Sequence, residues 1–240
     1  SGAAEDYSSG ERGNIQITEI GFAGSVDNNG NYDPDDVFLE IQNRHPRPIN
    51  LTNWHLILEG DVVKTLIIQG ANGEELEPLQ PNEFFVIAAK RDGAFGLAAD
   101  LIMPGLEFGQ QFIHLELRDP DLRLMEGAGH DGRRVFTGGW DTYSTRTMER
   151  VQLIFGNRGN ASRNWHAYSE NVTFFTNPTN SSDLNGADPL DPNTCPTSDE
   201  VALSVEEPGV RCEYRLRTLA SPGVAISRDY SGSAAAGNFE

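Results

Sequence analysis

The 240-residue sequence predicts an all-β protein. Three observations carry that expectation. Short runs of period-two apolar–polar alternation recur along the chain, which is the pattern of half-buried strands. Clusters of Gly, Pro, Asn and Asp separate most of them, and these residues favour turns. Only Ala94 to Leu101 has a helical look, and its glycines limit it to a turn or two. Many short strands at this spacing imply a β-sandwich or a barrel.

Taken in order, residues 1–14 hold Ser, Gly, Ala and charges with little to bury, and read as a disordered lead. The first strand is Ile15-Gln16-Ile17-Thr18-Glu19-Ile20. A polar loop from Gly21 to Asp36 follows, then a strand over Val37-Phe38-Leu39-Glu40-Ile41-Gln42-Asn43, broken by Pro46 and Pro48. Further strands are expected at Trp54–Glu59, Val62–Ile68, Phe84–Ala88, Phe112–Leu117, Leu122–Met125 and Glu149–Ile154. Asp119 and Asp121 flank Pro120 in a hairpin turn. Residues 177–209 are rich in Asn, Asp, Pro and Ser and read as a long insertion, while 226–240 read as a flexible tail.

Charge narrows the partners. Asp plus Glu number 36 against 18 Lys plus Arg, a net charge of −18. Such a field repels phosphate backbones, so nucleic acid is not an expected partner. The longest apolar runs are a few residues, too short to span a bilayer, so no membrane-spanning segment is expected. The polar start, Ser1 to Gly13, has no apolar core of a signal peptide, which fits a mature or trimmed form.

Few groups suggest chemistry. Asp27, Asn29, Asn31 and Asp33 present oxygens at alternate positions, the opening spacing of a calcium loop, and Asp36 could add a further ligand. An ordinary polar turn between strands explains the same residues. Cys195 and Cys212, the two cysteines, lie in the late insertion and after it. A disulfide between them would stabilise the fold by roughly 3 kcal/mol in the chain-entropy account, and a reduced pair is the alternative. Neighbouring Glu149 and Arg150 suggest a structural ion pair rather than a general acid. His130 and Asp131 invite a dyad, but neighbours in a chain point in different directions. Gly127-Ala128-Gly129-His130-Asp131-Gly132 is glycine-rich yet lacks the lysine and helix of a phosphate loop. Trp54 and Trp165 are the expected core anchors, each able to bury up to roughly 250 Å².

Six phrases in order resemble the lamin-tail domain family, of the kind carried by bacterial exported proteins. They are Ile15–Ile20, the stretch Asp36-Val37-Phe38-Leu39-Glu40-Ile41-Gln42-Asn43, Ile49-Asn50-Leu51-Thr52-Asn53-Trp54, Leu79-Gln80-Pro81-Asn82-Glu83-Phe84-Phe85-Val86-Ile87, Thr147-Met148-Glu149-Arg150, and Asn164-Trp165. Ser221-Pro222-Gly223 resembles the family's closing phrase. Asn53 and Asn82 replace glycines of the family pattern, and Asn is the residue that, after Gly, most readily accepts a positive φ. The resemblance covers 15–225, interrupted by 177–209, and implies an immunoglobulin-like β-sandwich with a long late loop insertion.

It further implies a non-catalytic, extracytoplasmic module, secreted or surface-anchored, that binds a protein or a cell-envelope or matrix component. Two alternatives stand beside that reading. One is a calcium-dependent module using the Asp27–Asp36 loop, and the other an exported metal-dependent hydrolase.

Overall fold

The computed structural model describes residues 11–26, 31–140, 144–151, 158–168 and 217–219. The protein is all-β, with almost no helix among these residues. The strands in chain order are β1 (Ile15–Gly21), β2 (Ser25–Val26), β3 (Tyr32–Asp33), β4 (Phe38–Asn43), β5 (Trp54–Gly60), β6 (Lys64–Ile68), β7 (Phe84–Ala88) and β8 (Leu101–Ile102). They continue as β9 (Ile113–Arg118), β10 (Leu124–Gly129), β11 (Gly139–Trp140), β12 (Ser144–Arg146), β13 (Met148–Arg150), β14 (Trp165–Ala167) and β15 (Arg217–Leu219).

Two sheets carry most of the chain. A six-stranded sheet runs β14-β13-β1-β4-β7-β8, and a four-stranded sheet runs β10-β9-β5-β6. One contiguous apolar cluster draws from both: Ile17, Leu39, Ile41 and Ile87 from the first, Leu56, Leu58, Leu115 and Leu117 from the second. Trp54 and Trp165 are each 1 % exposed within it. The alternation that marks these strands in the sequence is what makes this possible, because period two sends every second side chain to one face. Smaller sheets, β11-β12-β15 and β2-β3, lie alongside, and Tyr32 of β3 stacks on Trp140 of β11 with ring centroids 4.6 Å apart.

The turns follow from local chemistry. Asn53 and Asn82 sit at φ 63° and 65°, the left-handed region that Asn tolerates. Asn53 sends its N–H to the Ile68 carbonyl, which seats Trp54 at the head of β5 opposite Ile68. Asp119, fully buried, accepts from the Arg123 backbone N–H and guanidinium and closes the β9–β10 hairpin around Pro120.

Several expectations change. Residues 11–14 are part of the fold rather than of a disordered lead: Gly13 N–H reaches the Met125 carbonyl, and the Asn14 carbonyl accepts from Arg44. Ala94 to Ala98 is a run of turns, and Leu101 begins a short strand parallel to β7 instead of ending a helical piece. The glycine-rich stretch divides between a strand and the turn after it, at His130 to Gly132. Glu126 to Gly129 form the second half of β10, and a Cβ at Gly159 would come within 2.1 Å of the Gly127 carbonyl, so glycine permits this close approach of backbones. Residues 1–10, 177–209 and 226–240, with Cys195 and Cys212, lie outside the described residues. Among the described residues no helix is long and apolar enough to cross a membrane.

Candidate functional site

Four of the phrases singled out in the sequence each carry one glutamate, and the fold sets three of these, Glu19, Glu40 and Glu149, in a line. Antiparallel registers pair Glu19 with Glu40 across β1–β4, Glu19 with Glu149 across β1–β13, and Glu149 with His166 across β13–β14. Directly paired residues share a face, so His166, Glu149, Glu19 and Glu40 form one cross-strand row on the side of the six-stranded sheet away from the apolar cluster. All three glutamates are 2 % exposed or less.

Carboxylates opposite one another are destabilising, and burial raises the cost unless donors are supplied. The sequence supplies them from adjacent positions. A bulge between Ile17 and Glu19 frees Thr18, whose hydroxyl donates to Glu40 Oε1 at 2.5 Å. Thr147 donates to Glu19 Oε1 at 2.5 Å, and His166 Nε2 stands 2.7 Å from Glu149 Oε2. No spacing rule finds this row, because its members are up to 147 positions apart and only register joins them.

Arg150 lies on the opposite face of β13 from Glu149, so the expected Glu149–Arg150 pair is replaced by separate partners for each. Successive strand residues point to opposite sides. Arg150 is completely buried and its guanidinium lies 5.0 Å from the centroid of the Trp165 ring. Nη1 donates to the Ile17 carbonyl at 2.9 Å and to Glu126 Oε1 at 2.8 Å. Arg150 thereby ties β13 of the six-stranded sheet to β10 of the four-stranded one. Burial pushes the Glu126 carboxyl up from its ordinary range, against the pull of Arg150 and Arg12.

Glu126 forms part of the wall of a polar groove of about 530 Å³. It opens between the lead into β1 and its start (Arg12, Asn14, Gln16), the β9–β10 pair (His114, Glu116, Leu124, Gly127) and the segment Arg158–Asn160. Its walls are tied down. The Gly159 carbonyl accepts from Trp165 Nε1 at 2.8 Å and from the Gly129 N–H, and Arg158 O accepts from Asn164 Nδ2. His114 pairs with Glu59 at 2.6 Å and Glu116 with Arg118 at 2.7 Å.

The calcium candidates separate. Asp27 and Asn29 lie outside the described residues. Asn31 is exposed. Both oxygens of Asp33 are within 2.8 Å of the Lys90 ammonium. Asp36 turns inward, 1 % exposed, and accepts through Oδ2 from Ser25 and from the Ala94 N–H. Its role is to hold the turn at Ala94 against β2. Among the described residues, no group of three or more His, Cys, Asp or Glu is placed to hold a metal ion. His130 and Asp131 do meet, Nδ1 to Oδ1 at 3.3 Å, because both sit in one exposed turn rather than on a strand.

Burial raises the Asp36 carboxyl above its ordinary value, the Ser25 and Ala94 donors offsetting part of the effect. An acid whose pKa is higher folded than unfolded favours folding while protonated, and that contribution is lost as pH rises through the folded value. Asp36→Asn keeps an acceptor for Ser25 and Ala94 and cannot ionise. Its melting temperature relative to the natural chain should therefore climb between pH 4 and pH 7, in melts followed by circular dichroism. A difference that stays flat across that range would exclude the ionisation of Asp36 as a destabilising event.

No family model matches the chain, and no curated protein matches it.

Proposed function

We propose that this chain is a non-catalytic binding module of lamin-tail type, acting outside the cytoplasm on a component of the cell envelope or matrix. On this reading the two main sheets face each other as an immunoglobulin-like β-sandwich. The lamin-tail part is supported by the row in which the glutamates of three family-like phrases meet, and by left-handed Asn53 and Asn82 at glycine positions of the pattern.

The observation that carries the binding part is the groove. It lies over the Arg150–Glu126 bridge, its backbone is hydrogen-bonded into both sheets, and its acidic side chains are held in ion pairs. A recess of this size with convergent polar groups and a pre-formed wall is what small-ligand recognition uses. Carboxylates locked to arginines supply orientation and hydrogen-bond acceptors to a ligand.

The test uses Gly127→Leu. A Cβ at Gly127 meets nothing closer than the Leu115 carbonyl at 3.5 Å, an ordinary contact, so the larger side chain has room to stand in the groove. The full chain immobilised on beads should retain a component of envelope or matrix extracts, and Gly127→Leu should lose it while melting within a few degrees of the natural chain. Equal recovery by both forms would sink the groove as the binding site.

A further inference from the structure

Resting on the groove as the binding site, we propose that its ligand is an acidic sugar, with the carboxylate of a uronic-type residue held between Arg12 and Arg158. The charge balance of the lining points this way. Glu116 is neutralised by Arg118 and Glu126 by Arg150, and neither of those arginines lines the groove. Arg12 and Arg158 do line it, are exposed, and make no ion pair within 4 Å with another of the described residues. Counted over the described residues, the recess is thus locally cationic in a chain of net charge −18. Guanidinium groups bind carboxylates through paired N–H donors, which gives direction as well as attraction.

The backbone pre-sets both arginines. Gly13, next to Arg12, is pinned to the Met125 carbonyl, and Gly159, next to Arg158, to Gly129 and Trp165. In the same lining, the side-chain amides of Asn14 and Asn160 offer donors and acceptors matched to sugar hydroxyls. An acidic peptide fits less well. Peptides added to a sheet need an open backbone edge. Along β10 that edge is taken: the Met125 carbonyl accepts from Gly13, and the Gly129 N–H is given to Gly159. A long polyanion is opposed by the surrounding negative surface, whereas a single acidic residue entering the recess is screened from charges farther off than about 8 Å at physiological salt.

The experiment is an NMR titration of the full chain with D-glucuronate, D-glucose and an acetylated acidic dipeptide as probes. Glucuronate at millimolar concentration should shift the amides of Gly13, Gly127 and Gly159, and glucose should not. Arg12→Gln and Arg158→Gln should each weaken glucuronate roughly tenfold, the loss of one charge-assisted contact. Arg133→Gln, an exposed arginine outside the groove, should leave it unchanged. Equal binding of glucose, a preference for the dipeptide, insensitivity to both groove arginines, or no shifts with glucuronate would each overturn the proposal. Loss of envelope capture in Gly127→Leu but not in the arginine variants would leave the groove standing and remove the acidic sugar alone.

Discussion

Arg150→Met should destabilise the protein by about 3–5 kcal/mol, because it leaves Glu126 buried without its counter-charge. Glu126 is 6 % exposed, at the wall of the groove, and Arg150 is not exposed at all, so little water reaches the place of the missing partner. The substitution also removes the donor to the Ile17 carbonyl and the cation over Trp165. In a chain of this size the loss corresponds to roughly 10 °C or more in melting temperature. Adding Glu126→Met to the same chain should recover a large part of it, since an apolar pair of similar volume removes the stranded charge. Denaturant unfolding of the single and double variants measures both. A double variant less stable than Arg150→Met would show that Glu126 has a stabilising partner besides Arg150.

Trp54→Ala should cost about 3–5 kcal/mol by a different route, the cavity left by a large buried side chain. Trp54 heads β5 at 1 % exposure and packs in the cluster that both sheets share. Its position depends on the left-handed Asn53 before it and on its register with Ile68 after it. The surrounding residues are held by strand pairing and cannot collapse far, so the upper part of that range is expected. Trp54→Phe, which keeps most of the volume, should cost less than half as much. Chemical denaturation with fluorescence from the remaining tryptophans reads this, and a Trp54→Ala loss under about 1 kcal/mol would contradict a core position.

Much of the strand framework was legible because alternation is a local signal. Ile15–Ile20, Phe38–Asn43 and Trp54–Glu59 appear in the structure within a residue of where period two places them, and Phe84–Ala88 where a short apolar run bounded by turn residues does. The two left-handed asparagines were legible for the same kind of reason, since a positive φ is a property of one residue and its turn. The short strands β2, β3, β8, β11 and β14 were not. Two or three residues cannot display a period, and partners elsewhere in the chain decide their conformation.

The candidate site was far less visible. Glu19, Glu40 and Glu149 stood in the sequence as parts of separate phrases, and nothing in their spacing says that β13 pairs with β1 on the side opposite β4. Glu149 and Arg150 looked like one another's partner because they are adjacent, yet strand geometry sends them to opposite faces. The calcium reading of Asp33 and Asp36 used a spacing that would suit an isolated loop. Lys90 and Ser25, approaching from other parts of the fold, give both carboxylates different work.

What the sequence by itself determined is the all-β class, the main strands and the chemistry of the turns, all of which rest on forces acting over a few neighbouring residues. The tertiary structure alone decided the glutamate row, the Arg150 bridge and the groove. Those depend on register and on which buried charges face each other, and a buried charge is governed by whatever neighbour the fold brings within about 4 Å, however distant in the chain.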